Sequence, residues 1–184
     1  MEKALEDTLV RRAQQGDRPA FMALVEHYWG RLYRWLLGLA RCPHAAEDLA
    51  QDAFLRAWTM LDTFQAGTSF RAWLFRIGGN RFLDTRRGPR GKPTRPLPAS
   101  LSQHEPGPVG VVIAQECQAQ VEQAIARLPL PLRSAFLLRT QEGMPFAEIA
   151  HTLGVTEETV RWRLFKARQQ LLRELREYLD GPTS

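Results

Sequence analysis

The sequence predicts an all-α protein of two small helical domains joined by a flexible linker. Apolar residues recur at helical spacing on both sides of a Pro/Gly-rich stretch, and no period-two strand pattern competes with them. In the second half, a short helix, a tight turn at Gly154 and a long helix follow one another in helix-turn-helix order. A chain of 184 residues with 44% hydrophobic content can bury one or two small cores, and the shift in composition along it favours two. The expected division is a first domain over residues 1–87, a linker over 88–110 and a second domain over 111–180.

Turn signals at Gly16-Asp17, Cys42-Pro43 and Gln65-Ala66-Gly67-Thr68 divide the first domain into four helices: Lys3 to Gln15, Pro19 to Ala40, His44 to Leu61 and Ser69 to Arg86. Between Gly88 and Gly110 stand six prolines and four glycines with no apolar period, the composition of a linker. Its first part, Arg86 to Arg95, holds five basic residues and no acidic one: a solvated linker by itself, or a strip that contacts a polyanion backbone. Helices resume over Val111 to Arg127, Leu132 to Glu142, Pro145 to Leu153 and Thr156 to Leu179. There is no internal repeat.

The third helix repeats Ala46, Leu49, Ala50, Ala53, Phe54, Ala57, Trp58 and Leu61 on one face, which leaves Glu47, Asp48, Gln51 and Asp52 together on the other. Such a face either keeps the domain soluble or docks on a basic protein surface. The fourth helix mixes aromatics with arginines. Spacing assigns Phe70, Trp73, Leu74 and Ile77 to its core face and puts Arg76, Asn80 and Asp84 on one polar stripe. Side chains of those types hydrogen-bond base edges, and the neighbouring loop aromatic Phe64 could stack on an exposed base. Gly78-Gly79 inside this helix costs about 1 kcal/mol per residue relative to alanine. That pair predicts local flexibility or a close backbone approach.

On the last helix, at about 100° per residue, Val160, Leu164, Ala167, Leu171 and Leu175 form the inward stripe. Glu158, Trp162, Phe165, Lys166 and Gln169 cluster opposite it, with Arg161 on the rim. Two large aromatics turned outward beside basic residues mark a surface that a partner covers, or else one packed on a neighbouring domain. Thr156 suits the N-cap, and Glu157 and Glu158 suit the positive end of the helix dipole.

A formal charge of +5 fits a polyanionic partner. Cys42 and Cys117 lie far apart and belong to no Cys/His cluster, so neither a disulfide frame nor a zinc site is expected. His27, His44, His104 and His151 fall in four different segments, and no nucleophile, metal-ligand or phosphate-loop motif appears. No catalytic residue, metal or cofactor is expected, and an enzyme is the least favoured class. The amphipathic, charged first helix is no signal peptide, and no apolar run nears the length of a membrane span. The expected location is cytoplasmic, without membrane insertion or a small-molecule substrate.

Taken in order, AEDLAQDAFLRAW (Ala46 to Trp58), FQAGTSFRAWLFRIGGNRFLDTRR (Phe64 to Arg87), a linker, and LPLPLRSAFLLRTQEGMPFAEIAHTLGVTEETVRWRLFKAR (Leu128 to Arg168) closely resemble the extracytoplasmic-function sigma factors of bacterial RNA polymerase. These small initiation factors keep only the second and fourth conserved sigma regions. The resemblance implies that the chain directs core RNA polymerase to promoter DNA and helps open it, and that an anti-sigma factor restrains it. It implies that Asp48, Gln51 and Asp52 meet the clamp helices of the polymerase's largest subunit. It places Arg56, the loop Phe64, Gln65, Ala66, Gly67, Thr68 and Ser69, and Arg76, Asn80 and Asp84 at the minus-10 element, where a base is flipped from the non-template strand. It places Thr156, Glu158, Arg161, Trp162, Phe165 and Lys166 at the minus-35 element in the major groove. Trp162 stands where the family usually has a small residue, and Gly78-Gly79 where it has better helix formers. Two other classes remain open on the residues: a sigma-like decoy that occupies an anti-sigma factor, and a helix-turn-helix repressor with its ligand domain in the N-terminal half.

Overall fold

The structure, a computed structural model, describes residues 1–65, 67–87 and 109–179, with side chains over 118–176 in the last stretch. Most of the expected linker, including Arg90, Lys92 and Arg95 of its basic run, lies outside the described residues, as does Ala66 of the loop. Eight α-helices account for the regular structure of what is described: α1 (Lys3–Gln14), α2 (Arg18–Ala40), α3 (Pro43–Thr59), α4 (Phe70–Arg87), α5 (Val109–Arg127), α6 (Leu130–Thr140), α7 (Phe146–Leu153) and α8 (Glu157–Leu179). Leu61, expected at the end of the third helix, instead opens a short 3-10 turn over Leu61–Thr63 and is buried there.

α2 is the hub of the first half. Asp17 caps it by accepting from the Ala20 amide at 3.1 Å, and Pro19 sits in its first turn, where a missing N–H costs nothing. Its apolar residues Leu24, Leu32, Trp35 and Leu36 are wholly buried, with α1, α3 and α4 packed around them. The glycine pair of α4 serves close approach, and the helix runs unbroken through it. A Cβ on Gly78 would stand 3.1 Å from Leu32 Cδ1, and one on Gly79 would stand 3.0 Å from the Trp35 ring. The propensity lost at two positions is exchanged for a tight α2–α4 seam. Phe70 and Leu74 are core as the spacing predicts; Phe75 and Phe82 are core as well, while Trp73 and Ile77 are only half-buried. α4 buries a wider arc than one stripe because α7 covers it from a further side.

In this structure the two helical halves also lie against each other. α4 packs on α7, α2 packs on α6, and one buried cluster runs from Val10 through Leu138, Ile149 and Leu164. Leu137 of α6 reaches so close to Gly38 that a Cβ there would lie 2.6 Å from it. Arg133 donates across the junction to the Leu39 carbonyl at 3.1 Å, and its burial lowers its pKa. Ala124, Leu128, Leu132, Ala167 and Leu171 form a second, smaller core where α5 and α6 meet α8.

Candidate nucleic-acid interface

α7, the turn and α8 form the expected helix-turn-helix. Gly154 takes the left-handed conformation at φ 63°, and the Val155 amide closes the end of α7 on the Ala150 carbonyl at 3.0 Å. Thr156 caps α8 as predicted, its Oγ1 accepting from the Thr159 amide at 3.2 Å. Val160, Leu164, Ala167 and Leu171 are buried, Leu175 is half-buried, and Trp162 and Phe165 are each 57% exposed. Thr156, Glu158, Arg161 and Lys166 share the exposed side. The alternative that both aromatics pack on a neighbouring domain is therefore not realised among the described residues, although a second domain does lie against α7.

Arg161 has a further role that spacing does not reveal. Its guanidinium pairs with Glu157 at 3.3 Å and lies 5.4 Å from the centre of the Phe146 ring, while Arg139 lies 5.1 Å from the same ring. Arg139 also donates to the Met144 carbonyl at 2.8 Å. These contacts tie α6, α7 and α8 together behind the exposed face.

In the first half, the loop before α4 is held from several sides. Gln14 donates to the Leu61 and Phe64 carbonyls at 3.0 and 2.9 Å, Lys3 donates to the Thr68 carbonyl at 2.8 Å, and the Thr68 hydroxyl donates to the Gln65 carbonyl at 2.8 Å. Gly67 adopts φ 90°, a conformation that suits glycine. Ser69 caps α4 through the Ala72 amide at 3.2 Å. Gln65, Gly67 and Thr68 are exposed and Ser69 is half-buried. Phe64 departs from expectation: it is 5% exposed and packs on Phe70 and Trp73 at 5.7 and 5.2 Å between ring centres. Its ring anchors the loop and is not offered for stacking. Arg76, Asn80 and Asp84 stand exposed along α4 as the spacing predicts, with Asp84 3.7 Å from Arg81. Gln14 and Lys3 were missed because their partners lie 47 to 65 residues away, beyond any local pattern.

The acidic face of α3 is only partly free. Asp48 and Gln51 are exposed, whereas Asp52 is half-buried and engaged by Arg81 and, at 3.3 Å, by Arg56. Asp52 thus joins α3 to α4, and Arg56 of the predicted minus-10 set is occupied by it. Leu55 is 67% exposed and lies three and four residues from Asp52 and Gln51, which gives this face an apolar centre that the charge pattern did not announce. Beneath the loop, burial and then the hydrogen bond to Glu6 push the Tyr28 hydroxyl pKa up, so Tyr28 stays a donor to that carboxylate. Among the described residues, no group of three His, Cys, Asp or Glu side chains is placed to hold a metal, and no helix is long and apolar enough to cross a membrane.

Comparison with known proteins agrees with this architecture. The family model for sigma-70 region 2 matches residues 24–91, and that for sigma-70 region 4 matches residues 118–171. RNA polymerase sigma factor NccH of Alcaligenes xylosoxydans xylosoxydans is 33% identical over 178 residues, covering 92% of this chain and 94% of that protein. The RNA polymerase sigma-H factor of Pseudomonas aeruginosa is 31% identical, covering 95% of each chain. The solved structure of CnrH in complex with the cytosolic domain of CnrY is similar with a TM-score of 0.72 and 28% identity, over 93% of this chain and 97% of that one. The chain belongs to the sigma-70 family of RNA polymerase sigma factors, in its extracytoplasmic-function group.

Proposed function

We propose that this sigma factor divides its work among three surfaces. The exposed face of α8 meets the minus-35 element, the Gln65–Ser69 loop with Arg76, Asn80 and Asp84 meets the minus-10 element, and the α3 face of Asp48, Gln51 and Leu55 docks on core polymerase. The observation that carries this reading is α8, where Trp162 and Phe165 stand 57% exposed above a fully apolar inner stripe, beside Arg161 and Lys166. Exposed aromatic area of that size is retained where a partner covers it. Lys166 supplies charge toward phosphates, Arg161 a phosphate or guanine contact, and Phe165 an apolar contact such as a thymine methyl.

No chemistry is assigned to the chain itself; nucleotidyl transfer belongs to the polymerase. Binding energy from the two DNA elements, together with a preformed loop pocket, offsets the few kcal/mol of unstacking when a base is flipped. The division into residues 1–87 and 111–180 is retained as a functional one, each half carrying one DNA-facing surface. A partner of the anti-sigma kind is expected from the family, and the similarity to a relative solved with a partner's cytosolic domain supports it. The site of action is proposed to be the cytoplasm, where the polymerase works.

Transcription in vitro with purified core polymerase on genomic fragments, with and without the protein, tests the reading. New start sites that share two spaced upstream elements are the expected result. No binding to core polymerase would point to the decoy class, and DNA binding without polymerase would point to a repressor.

A further inference from the structure

Two arginines of the first half are neutralised by carboxylates of the second. Arg31 of α2 donates from Nε to Glu142 Oε2 at 2.7 Å. Arg71 of α4 donates to Glu148 Oε2 from Nε at 3.0 Å and from a terminal nitrogen at 2.6 Å, and also to the Glu142 carbonyl at 3.1 Å. Both guanidiniums border a cleft of about 430 Å³ that Gly67, Thr68 and Ser69 also line, with Glu148 of α7 opposite. The amino-terminal group, His27 and Lys3 face the same cleft; Lys3 is paired within the first half with Asp7 at 3.0 Å and Glu6 at 3.7 Å, and Glu6 is also engaged by Tyr28. Without the second half, the cleft beside the loop keeps the two guanidiniums with no carboxylate paired to them in the first half, and is cationic. The pairing is also imperfect: Glu142 is buried, yet its Oε1 has no hydrogen-bond partner.

The packed arrangement cannot serve both DNA elements at once. Minus-10 and minus-35 elements lie about 25 base pairs apart, roughly 85 Å of duplex at about 3.4 Å per step. A body of 184 residues packed as one unit is about 40 Å across. The halves must separate on the promoter, and separation releases Arg31 and Arg71. A guanidinium presents the same fork of donors to a phosphate as to a carboxylate. We propose that Arg31 and Arg71 form a phosphate-binding site for the single strand next to Gly67–Ser69, and that Glu142 and Glu148 occupy this site as carboxylate stand-ins while the halves are packed together. The inference rests on the sigma-factor reading and adds two DNA-binding residues to it, together with an acidic block that promoter binding must displace.

The test uses the full-length free protein and a fluorescein-labelled, sequence-randomised single-stranded DNA of about 20 nucleotides. Small-angle X-ray scattering reports compaction, and fluorescence anisotropy reports binding. The double variant Glu142→Gln/Glu148→Gln is expected to expand and to bind the strand about tenfold more tightly at low salt. Adding Arg31→Ala and Arg71→Ala is expected to erase the gain while leaving the protein expanded. The charge swap Arg71→Glu/Glu148→Arg is expected to keep wild-type helicity and compaction without a gain in binding, which separates the pairing from a folding defect. Expansion without tighter binding, tighter binding that survives loss of both arginines, no expansion in the double variant, or expansion of the swap would each overturn the proposal. Failure of the wild-type protein to direct transcription with core polymerase would sink the sigma reading instead, and scattering and anisotropy would still decide whether Glu142 and Glu148 block the two arginines.

Discussion

On α8 the large aromatics Trp162 and Phe165 stand outside, while on α4 Phe70, Phe75 and Phe82 are buried and the polar residues Arg76, Asn80 and Asp84 face solvent. Both helices are proposed to meet DNA, yet their apolar residues are disposed in opposite ways. α4 is enclosed by α2, α3 and α7, so its rings have neighbours to pack on and the reading surface is left to polar groups. α8 packs through a narrow stripe in which Ala167 permits close approach, and its aromatics are left for a partner. The same residue type therefore anchors a loop in one half and offers contact area in the other. Three elements pack on each helix, so what decides between these roles is which side of the helix its neighbours cover.

Stability separates the two helices most sharply. Phe70→Ala is expected to cost about 3–5 kcal/mol in urea unfolding, whereas Trp162→Ala is expected to stay within about 0.5 kcal/mol of wild type. Similar losses for both would erase the contrast between anchoring and displayed rings. Next in size, Asp48→Lys is expected to weaken core polymerase binding by about tenfold or more in a pull-down titration, since it reverses an exposed charge on the docking face. Asp52→Lys is a less informative probe, because it also places a third cation beside Arg56 and Arg81. Undiminished binding by Asp48→Lys would remove that face from the interface.

Lys166→Ala is expected to weaken holoenzyme binding evenly across upstream sequences and to reduce the salt slope by about 1; an unchanged slope takes Lys166 off the phosphate backbone. The helix caps give the smallest and most specific contrast. Asp17 caps α2 with a carboxylate whose pKa is held down by the Ala20 amide and then by Arg12, whereas Thr156 caps α8 with a neutral hydroxyl. The Asp17 contribution is complete above the ordinary carboxylate range and is lost as pH falls through its depressed pKa. Melting temperatures recorded against pH should therefore lose part of their acid-side slope in Asp17→Ala and keep all of it in Thr156→Ala.

The helices and the faces of α8 were legible in the sequence because each follows from a local period, a cap or a turn residue: Thr156, Gly154 and the Val160 stripe stand where spacing puts them. The acidic side of α3 was legible for the same reason, but the capture of Asp52 by Arg81, 29 residues away, was not. Nor was the burial of Phe64, since a loop aromatic shows its direction only once Phe70 and Trp73 are placed. Nor were the ion pairs that bridge the two halves, Arg31–Glu142 and Arg71–Glu148, since their members lie 111 and 77 residues apart and no periodicity relates them. Composition correctly marked the glycine pair as unusual, and only the Leu32 and Trp35 side chains across the seam explain it.

The most direct test is a base-pair substitution scan of one mapped promoter, transcribed by holoenzyme carrying wild-type protein, Phe165→Ala or Asn80→Ala. Phe165→Ala should lose discrimination at the upstream element alone, and Asn80→Ala at the downstream element alone. Loss of discrimination at the same element in both variants, or at neither, would contradict the division of promoter reading between α8 and α4.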